Sequence, residues 1–422
     1  MLARRSCCLF LLVFSVMLIE SRQAAAQAGQ LDPTFGNGGI VTTDFGDQTG
    51  SNNAATGNAA LIQPDGKIVV VGAVPGSNGF PVAAVLRYNT NGSLDTSFGS
   101  GGIVNTPSIE DEPFTSVALQ ADGKIVAVAG GFSAFVARYT TAGALDSTFG
   151  TGGIVQLAEI NGTPACGVLI QPDGRILIAD KDLFRLLTNG QFDTTFGSNG
   201  RVNNAGYPAT ALVLLPNGEI VTASSGGASG VLAQYQSNGT LDTTFGISGQ
   251  AGTLGSTVGL VLPGSGDIVV GGALTNNSVI VPGSPGASSF LVSRYLPSGI
   301  GDGSFGTNGG TATPVPNYVT VNTSGLALEP TGDIVLAGTA TQNSLGAFAL
   351  TRYTPAGQLD TTFGNNGTVV TVFGGGFSAP SVHANGLTIQ SDGKIIVVGS
   401  YVVSVPRHGF DTAIKVLRYL AS

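Results

Sequence analysis

The sequence lacks tryptophan, has only three cysteines and two histidines, and carries few charges. Lys, Arg, Asp and Glu make up 10% of its 422 residues, against about 25% in ordinary domains. The net charge of −8 has the wrong sign for attraction to nucleic acid or to an anionic membrane surface, since both need clustered Lys and Arg. We therefore expect no nucleic-acid partner.

Long apolar runs are also lacking, except at the N-terminus. Arg4 and Arg5 precede the apolar stretch CCLFLLVFSVMLI at 7–19, and small residues follow at 24–26 and at 26–28. The stretch is shorter than the roughly 20 residues that a membrane-spanning helix needs. The pattern predicts a secretory signal peptide over residues 1–28, cleaved near residue 26 or 28. Cys7 and Cys8 precede the apolar core, where a lipoprotein cysteine would follow it, so no lipid anchor is expected.

Export has consequences for the mature chain. Cleavage after Ala26 removes Arg4, Arg5, Arg22 and Glu20, which moves the net charge from −8 to −10. Only Cys166 then remains, so an internal disulfide is excluded and burial alone must hold the fold. We expect a monomer that is secreted, periplasmic or on the cell surface, without membrane insertion after cleavage.

Glycine is abundant, with 65 residues, and so are internal repeats. Three strings recur seven times in fixed order: QPDGK and its relatives, an apolar run that closes on Arg-Tyr, and L-D-x-T/S-F-G. Units three and four carry degenerate Arg-Tyr strings, Arg185-Leu186 and Gln234-Tyr235. Successive Asp residues of the third string lie between 47 and 63 residues apart. A constant frame with loops of varying length explains this spacing.

Within a unit the pattern predicts β-strands only. In unit one, strand A is predicted at 60–63, strand B at 67–72, strand C at 83–88, and strand D within LDTSFGSGGIV at 94–104. Pro-Asp-Gly and Asn-Gly sequences between them are turn formers. The strands are continuously apolar, so both faces of each small sheet are buried. The prediction is an all-β, seven-bladed β-propeller of four-stranded antiparallel blades. A linear solenoid would need more uniform repeats and capping units.

The chain ends complement each other. Residues 31–41, LDPTFGNGGIV, form a D strand that no A, B or C strand precedes, whereas residues 413–419, AIKVLRY, form a C strand that no D strand follows. We therefore predict that the N-terminal strand joins the last blade and closes the ring, which would remove two exposed strand edges. The propeller then occupies residues 29–422 as a single domain.

The strings LDTTFG at 241–246 and 359–364, QPDGK at 63–67, and the FVARY and LTRY strands resemble the delta-60 repeat family of exported bacterial proteins. The resemblance covers the whole mature chain and implies a propeller-type fold and export. The family brings no established catalytic residues. Units three to five depart most from the pattern, with NGQFD at 189–193, GIGDGSFG at 299–306 and LPGSGD at 262–267.

The repeated Asp and Phe residues are interpreted as structural. A calcium site would need six to eight oxygens, and the string offers one carboxylate and one hydroxyl, so no metal is predicted. Asp instead accepts hydrogen bonds within its turn, Phe fills the space between blades, and the Arg of Arg-Tyr pairs with a nearby acid or carbonyl. The structural set is Asp32, Asp95, Asp146, Asp193, Asp242, Asp302, Asp360, Phe35, Phe98, Phe149, Phe196, Phe245, Phe305 and Phe363.

Ligand binding is expected where the repeat breaks. The A–B and C–D turns are short and nearly constant, so in an antiparallel meander they share one face, and the varied B–C and D–A loops share the other. Varied loops on a rigid frame are the usual place for binding. The ligand-face candidates are Glu110, Asp111, Glu112, Lys181, Asp182, His383 near the central channel, Arg407 and His408.

Three functions remain open at this point. The first is an exported scaffold that binds a protein or carbohydrate on the varied loops. The second is a propeller enzyme of the lyase or glycoside hydrolase type, with acids and a histidine near the channel. The third is a purely structural envelope protein. No nucleophile elbow, zinc-protease string or phosphate loop is present, so no catalytic residue and no cofactor is predicted.

Overall fold

The computed structural model describes residues 27–48, 53–131, 133–159, 167–203, 208–225, 229–275, 288–343, 345–374, 380–405 and 409–421. These residues form 28 strands in seven four-stranded antiparallel sheets. The predicted fold class, an all-β propeller with seven blades, is confirmed. In the described part of the chain, no helix is long and apolar enough to cross a membrane.

The strands follow the order A, B, C, D in six blades. Blades one to three consist of β2 (Thr56–Ile62), β3 (Ile68–Pro75), β4 (Pro81–Tyr88) and β5 (Ile103–Glu110); β6 (Phe114–Leu119), β7 (Ile125–Ala129), β8 (Ser133–Tyr139) and β9 (Ile154–Glu159); and β10 (Gly167–Ile170), β11 (Ile176–Ala179), β12 (Asp182–Leu186) and β13 (Arg201–Asn203).

The remaining blades repeat this order, with one exception in the last. Blades four to six consist of β14 (Ala209–Leu214), β15 (Ile220–Ser225), β16 (Gly230–Tyr235) and β17 (Gln250–Gly252); β18 (Gly259–Val261), β19 (Ile268–Leu274), β20 (Ser289–Tyr295) and β21 (Gly310–Thr313); and β22 (Thr320–Leu328), β23 (Ile334–Gln342), β24 (Leu345–Tyr353) and β25 (Thr368–Val372). Blade seven consists of β26 (Ser381–Ile389), β27 (Ile395–Val405), β28 (Gly409–Tyr419) and β1 (Ile40–Gln48).

The hydrophobic core lies between the blades. The B and C strands are buried on both faces, as in β3 and β4, where almost every residue is buried. Seven apolar clusters result, one for each pair of neighbouring blades. Continuous Val, Ile and Ala runs therefore follow from sheets stacked face to face, since alternating strands would expose one face to water.

The N-terminal strand closes the ring as predicted. β1 pairs antiparallel with β28, in the register Ile40↔Leu417 to Asp44↔Ala413. The closure also completes a C–D turn from the two chain ends. The backbone N–H of Leu420 donates to Gln30 at 2.9 Å, and that of Gly29 donates to Leu420 at 2.8 Å. These bonds match those of the continuous turn at 89–93 in blade one.

The strand boundary of D differs from the prediction. Residues 31–39 form turns, with isolated bridges between Leu31 and Tyr419 and between Asn37 and Ile40, and the strand begins at Ile40. The other units share this arrangement; in unit one, for example, the bridge Tyr88↔Leu94 precedes a strand that starts at Ile103. The string L-D-x-T/S-F-G is therefore a compact turn that leads into D. Its Gly residues take positive φ, as Gly36 does at 54°, which a side chain would oppose.

The two faces of the disc differ as expected. The A–B connections span five residues in six blades and six residues in the other, whereas the B–C connections range from the two residues between β11 and β12 to 14 between β19 and β20. We call the side with the A–B and C–D turns the constant face and the opposite side the variable face. All internal segments that the structure does not describe fall in B–C or D–A connections.

Candidate functional site

A buried ion pair links the repeated Asp to the Arg of the same blade. In six blades the Arg Nε donates to one carboxylate oxygen at 2.7–2.9 Å. In all seven, the other oxygen accepts from the backbone N–H and the hydroxyl of the Thr or Ser two residues on, at 2.6–3.1 Å. Protein donors therefore already use both carboxylate oxygens in those six blades.

The same Arg connects neighbouring blades. Its guanidinium lies over the repeated Phe, 4.4–4.8 Å from the ring centroid, in six blades. Its Nη1 donates to a carbonyl of the next C–D turn, as Arg87 does to Thr141 at 2.6 Å and Arg418 to Thr90 at 2.6 Å. The seven Phe rings are buried. These residues therefore form the frame of the propeller.

Asp32 shows the electrostatics of this frame at the ring closure. Burial acts to raise its pKa, but hydrogen bonds from Thr34 and the charges of Arg418 and Lys394 outweigh burial and lower the pKa to about 2. The carboxylate accepts from Arg418 at 2.8 Å and lies 3.3 Å from the Lys394 ammonium. Asp32 is therefore ionised at neutral pH and fully paired.

A second contact between blades joins the Tyr of Arg-Tyr to a Thr on the D strand of the preceding blade. Tyr88 and Thr43 share a hydrogen bond of 2.6 Å, and Tyr353 donates to Thr313 at 2.8 Å. Tyr88 is fully buried, and burial raises its pKa well above the usual range. Sequence reasoning missed this contact, because the partner Thr occupies no recurring string.

The central channel is lined by the A strands of all seven blades. It encloses a cavity of about 310 Å³. The described polar side chains on its wall are amides and hydroxyls, and backbone and alkyl groups make up the rest. They are Asn58, Thr115, Ser116, Thr210, Ser324 and Asn385. No ionisable side chain is found among these lining residues, so the channel wall offers no described group for proton transfer.

A larger depression of about 960 Å³ lies on the constant face, at the channel mouth and between blades seven and one. Of its ionisable residues, Asp392, Lys394 and Arg418 belong to the repeated strings. Glu329 stands where units one, two, three and seven carry Gln. Burial raises the pKa of Glu329, against the opposing charge of Arg352, whose Nη1 lies 3.3 Å from its carboxylate.

The variable face is uneven, because the B–C hairpins start at the same level and end at different heights. Blade three has four paired positions between B and C, blade six has nine, and blade seven has eleven. Seven extra residues at about 3.3 Å each place the tip of blade seven roughly 20 Å above that of blade three. Exposed apolar side chains lie in the loops and strand ends of the high side. They include Phe80, Val319, Leu345 and Val372.

The acidic run after β5 does not form one exposed cluster. The side chain of Glu110 lies outside the described residues. Asp111 is exposed and has a positive φ of 58°, whereas Glu112 is buried and accepts from the backbone N–H of Ser133 at 3.1 Å. Of the three candidates, Asp111 therefore offers a carboxylate at the surface.

The short turn of blade three also divides. Lys181 is exposed, whereas Asp182 is buried and forms an ion pair with Arg201 on the neighbouring D strand. The structure thus places Asp182 inside the blade. Sequence reasoning put both residues on the loop, because it did not pair Asp182 with a cation 19 residues further on.

His383 is exposed on the variable side of β26, and its Nε2 lies 3.1 Å from the Ser381 hydroxyl. It lies within β26, the innermost strand of blade seven. Arg407 and His408 lie outside the described residues, as does Cys166. The structure therefore brings none of the other candidates into contact with His383 in the described part of the chain.

One group on this side was not anticipated. Lys415 on β28 occupies a C-strand position that holds Ala84 in blade one. Its ammonium donates to the Thr42 hydroxyl at 2.9 Å and lies 4.5 Å from the Tyr401 ring centroid. Burial lowers the pKa of Lys415, against the opposing charges of two acids, Asp44 and Asp411. The available sequence signal was a cation at a repeat position that is apolar in five of the other six blades.

Residues 63–98, 120–149, 215–245, 329–363 and 390–421 match the family described as "Domain of unknown function (DUF5122) beta-propeller". In units one, two, four and six the match runs from the A–B turn to the repeated Phe. In unit seven it runs from the A–B turn to just past the end of β28. The chain is a β-propeller repeat protein. No curated protein matches the sequence of this propeller at a significant level.

Solved structures similar to this propeller include YCF48 bound to D1 peptide, with 14% identity, a TM-score of 0.47, and coverage of 89% of this chain and 98% of that one. The PL25 ulvan lyase, bound to -[GlcA(1-4)Rha3S]-, has 12% identity, a TM-score of 0.48, and coverage of 90% and 96%. A protein of unknown function from Dyadobacter fermentans has 11% identity, a TM-score of 0.42, and coverage of 90% and 99%. Likeness at this level carries no information on ligand or activity.

Proposed function

We propose that this propeller is an exported scaffold of the delta-60 repeat type that binds a protein or glycan ligand on its variable face. The single observation that carries the proposal is the difference in height between the hairpins. Blades six and seven rise as a wall above the lower hairpins of blades two to four, on a frame whose other face is uniform. Unequal loops on a rigid scaffold are typical of binding surfaces.

The chemistry of the wall suits a macromolecular ligand. Exposed Leu345 and Val372 on blade six and Phe80 on blade one supply apolar contact area. His383 on β26 adds a polar group, and the Lys415 ammonium on β28 adds a cationic one. An apolar surface with a few polar groups is the usual composition of a recognition site. Export rests on the N-terminal sequence pattern, which lies outside the described residues.

The enzyme alternative has less support. A glycosidase or lyase reaction needs at least two acid–base groups that face one cavity. Among the described residues that line the constant-face depression, the acids are Asp392 of an A–B turn and Glu329, which replaces a repeated Gln and pairs with Arg352. A purely structural role does not explain why the B–C hairpins differ in height.

The test is a binding array of glycans and cell-surface proteins, probed with residues 27–422. In the key variant, the hairpin tip at 403–411 is replaced by Asn-Gly, a strong two-residue hairpin turn. This change keeps the pair Val402↔Thr412 and lowers the wall. We expect every ligand found with the parent to lose at least tenfold in affinity.

The matched control is on the constant face. The triple substitution Asp65→Asn, Asp122→Asn and Asp392→Asn removes three exposed charges and retains the side-chain oxygen that accepts from the turn backbone. Its binding should equal that of the parent. If this control loses binding and the variant with the shortened hairpin retains it, the ligand binds the constant face and the proposal is overturned.

A further inference from the structure

Unit five breaks the repeat at the position before its repeated Asp. The other six units carry an apolar side chain there, and unit five carries Gly301. The six residues are Leu31, Leu94, Leu145, Phe192, Leu241 and Leu359. Each of them packs against the last Gly of its own F-G-x-x-G turn. A Cβ placed on that Gly would lie 2.5–2.9 Å from the packed side chain.

The corresponding surface in blade five is uncovered. A Cβ on Gly309 would meet only backbone atoms of Asp302, at 3.5 Å and beyond, and a Cβ on Gly301 would meet nothing within 4 Å. Unit five also carries Gly310 where units one, two and seven carry Ile. Blade five therefore lacks the apolar side chain that the other six units carry before the Asp and the Ile that units one, two and seven carry after the turn.

A recess of about 560 Å³ opens at this place, between blades four and five. We call it the blade 4–5 recess and define it by Ile247, Leu254, Tyr295, Ile300, Gly301 and Gly309. Three of its apolar side chains face solvent: Ile247 is 86% exposed, Ile300 63% and Leu254 51%. The positions of Ile247 and Ile300 are polar or Ala in every other unit. Apolar exposure of this kind at one place typically marks an interaction site.

The charges beside the recess are predominantly negative. Arg294 lines the recess, and Asp302 neutralises it at 2.6 Å. Asp267, 3.8 Å from Arg294, stands where units one, two and seven carry Lys. In the neighbouring blade, Gln234 replaces the repeated Arg. Asp242 therefore accepts from the Gln234 amide at 3.3 Å, and among the described residues no cation pairs with its carboxylate.

We propose that the blade 4–5 recess is a docking site for a segment of a partner protein that inserts one aliphatic or aromatic side chain flanked by Lys or Arg. The missing leucine leaves room for the inserted side chain, and Ile247, Ile300 and Leu254 cover it. The surplus carboxylates of Asp267 and Asp242 attract the flanking cations. A buried apolar anchor with a charged rim is the usual form of a protein interaction hot spot.

This site is independent of the proposed ligand on the variable face, because it lies at the outer edge between two blades and is built from other residues. Its occupant follows from charge. Because carboxylates outnumber cations beside the recess, an acidic partner or a polyanionic glycan would be repelled. A basic protein segment would be attracted to the recess at low ionic strength.

The test uses a phage-displayed library of random nonapeptides, selected on the wild-type propeller in low salt. We expect enrichment of sequences with a central Leu, Ile, Phe or Trp next to Lys or Arg. A fluorescein-labelled consensus peptide then reports affinity by anisotropy. Gly301→Leu restores the residue of the other units and fills the recess, so its affinity should fall at least tenfold while its thermal unfolding temperature stays equal or rises.

Two further variants test the contribution of charge and the location of the binding site. Asp267→Lys restores the repeated lysine, and its affinity should fall three- to tenfold at low salt and less at high salt. Leu345→Thr removes an apolar side chain of the variable face that is about as exposed as Leu254. It should leave peptide binding unchanged. Absence of any enriched motif, enrichment of acidic or uncharged peptides, or equal binding by the Gly301→Leu protein would each overturn the proposal.

Discussion

The ring closure between β1 and β28 can be tested by weakening it and an internal blade contact by the same amount. The seam variant carries Asp32→Ala and Phe35→Ala. The matched control carries Asp95→Ala and Phe98→Ala, which remove the same contacts in blade one. In both pairs the Phe is buried and lies under an Arg, at 4.5 Å in the seam and 4.4 Å in the control.

The expected loss is similar for the two variants. Removing a buried Phe costs about 3–5 kcal/mol, and leaving Arg418 or Arg87 buried without its Asp costs about 3–5 kcal/mol. The sum of about 6–10 kcal/mol, if the losses add, is a large part of the roughly 5–15 kcal/mol that stabilises a typical domain. Unfolding entropy of about 2.1 cal/mol/K per residue over roughly 395 residues converts this loss into about 7–12 °C of unfolding temperature.

The two variants should differ in association. In the control, the chain still connects the D strand covalently on both sides. In the seam, only non-covalent contacts hold β1 on β28, so the strand detaches and leaves two exposed edges that pair with other molecules. Light scattering on a sizing column should show oligomers for the seam variant and monomers for the control. A synthetic peptide of residues 27–48 should restore the monomer.

Two results would refute this reasoning. If the seam variant unfolds at the parent temperature, β1 contributes no closure energy. If both variants associate equally, edge exposure at the seam is not the cause. A protein that starts at residue 45 should behave like the seam variant, because it lacks the paired residues 40–44.

Two further predictions concern single groups. Glu329→Gln should change stability little near pH 4 and raise it at pH 8. Burial raises the pKa of Glu329 in the folded protein, so the protonated form stabilises the fold at low pH, and this contribution is lost as the pH rises through the folded-state pKa, whereas Gln stays neutral. Thermal unfolding across pH measures the difference, and a pH-independent difference would contradict the reasoning. Tyr88→Phe should cost about 1 kcal/mol because it removes the 2.6 Å bond to Thr43 from a buried site. Thr43→Val in the Tyr88→Phe background should then cost less than it does alone, and strictly additive losses would argue against a bond in solution.

Much of the fold was predictable from the repeats. The order of the three strings, repeated seven times, was enough to predict the four strands and the seven blades. The unmatched strings at 31–41 and 413–419 were enough to predict the closure. The division into a constant and a variable face followed from loop lengths, because in a meander connections of one kind always lie at the same end of the sheet.

The D strand boundary was wrong for a local reason. The repeated Asp was predicted to bond within its own turn, as Asp32 does with Thr34, yet all of residues 31–41 were assigned to strand D. In five other units the Arg that holds the Asp lies eight residues before it, as Arg87 does for Asp95, and only at the seam is it 386 positions away. The string is therefore a local turn in these units, and the error was to extend the strand through it.

The candidate site was less predictable than the fold. Lys181 and Asp182 are adjacent in sequence, yet one is exposed and the other is buried against Arg201. Glu112 is likewise buried next to an exposed Asp111. Burial of this kind depends on which blade packs against the loop, and no local pattern records that neighbour.

The sequence by itself determined the number of blades, the strand order and the way the chain ends meet, because these follow from local turn chemistry and from a pattern that repeats along the chain. Only the tertiary structure decided how high each hairpin rises, which acids are paired, and that the Gly at 301 opens a recess. These features arise where residues from different strands or different blades meet. Such contacts depend on distances in space between residues that lie far apart in sequence.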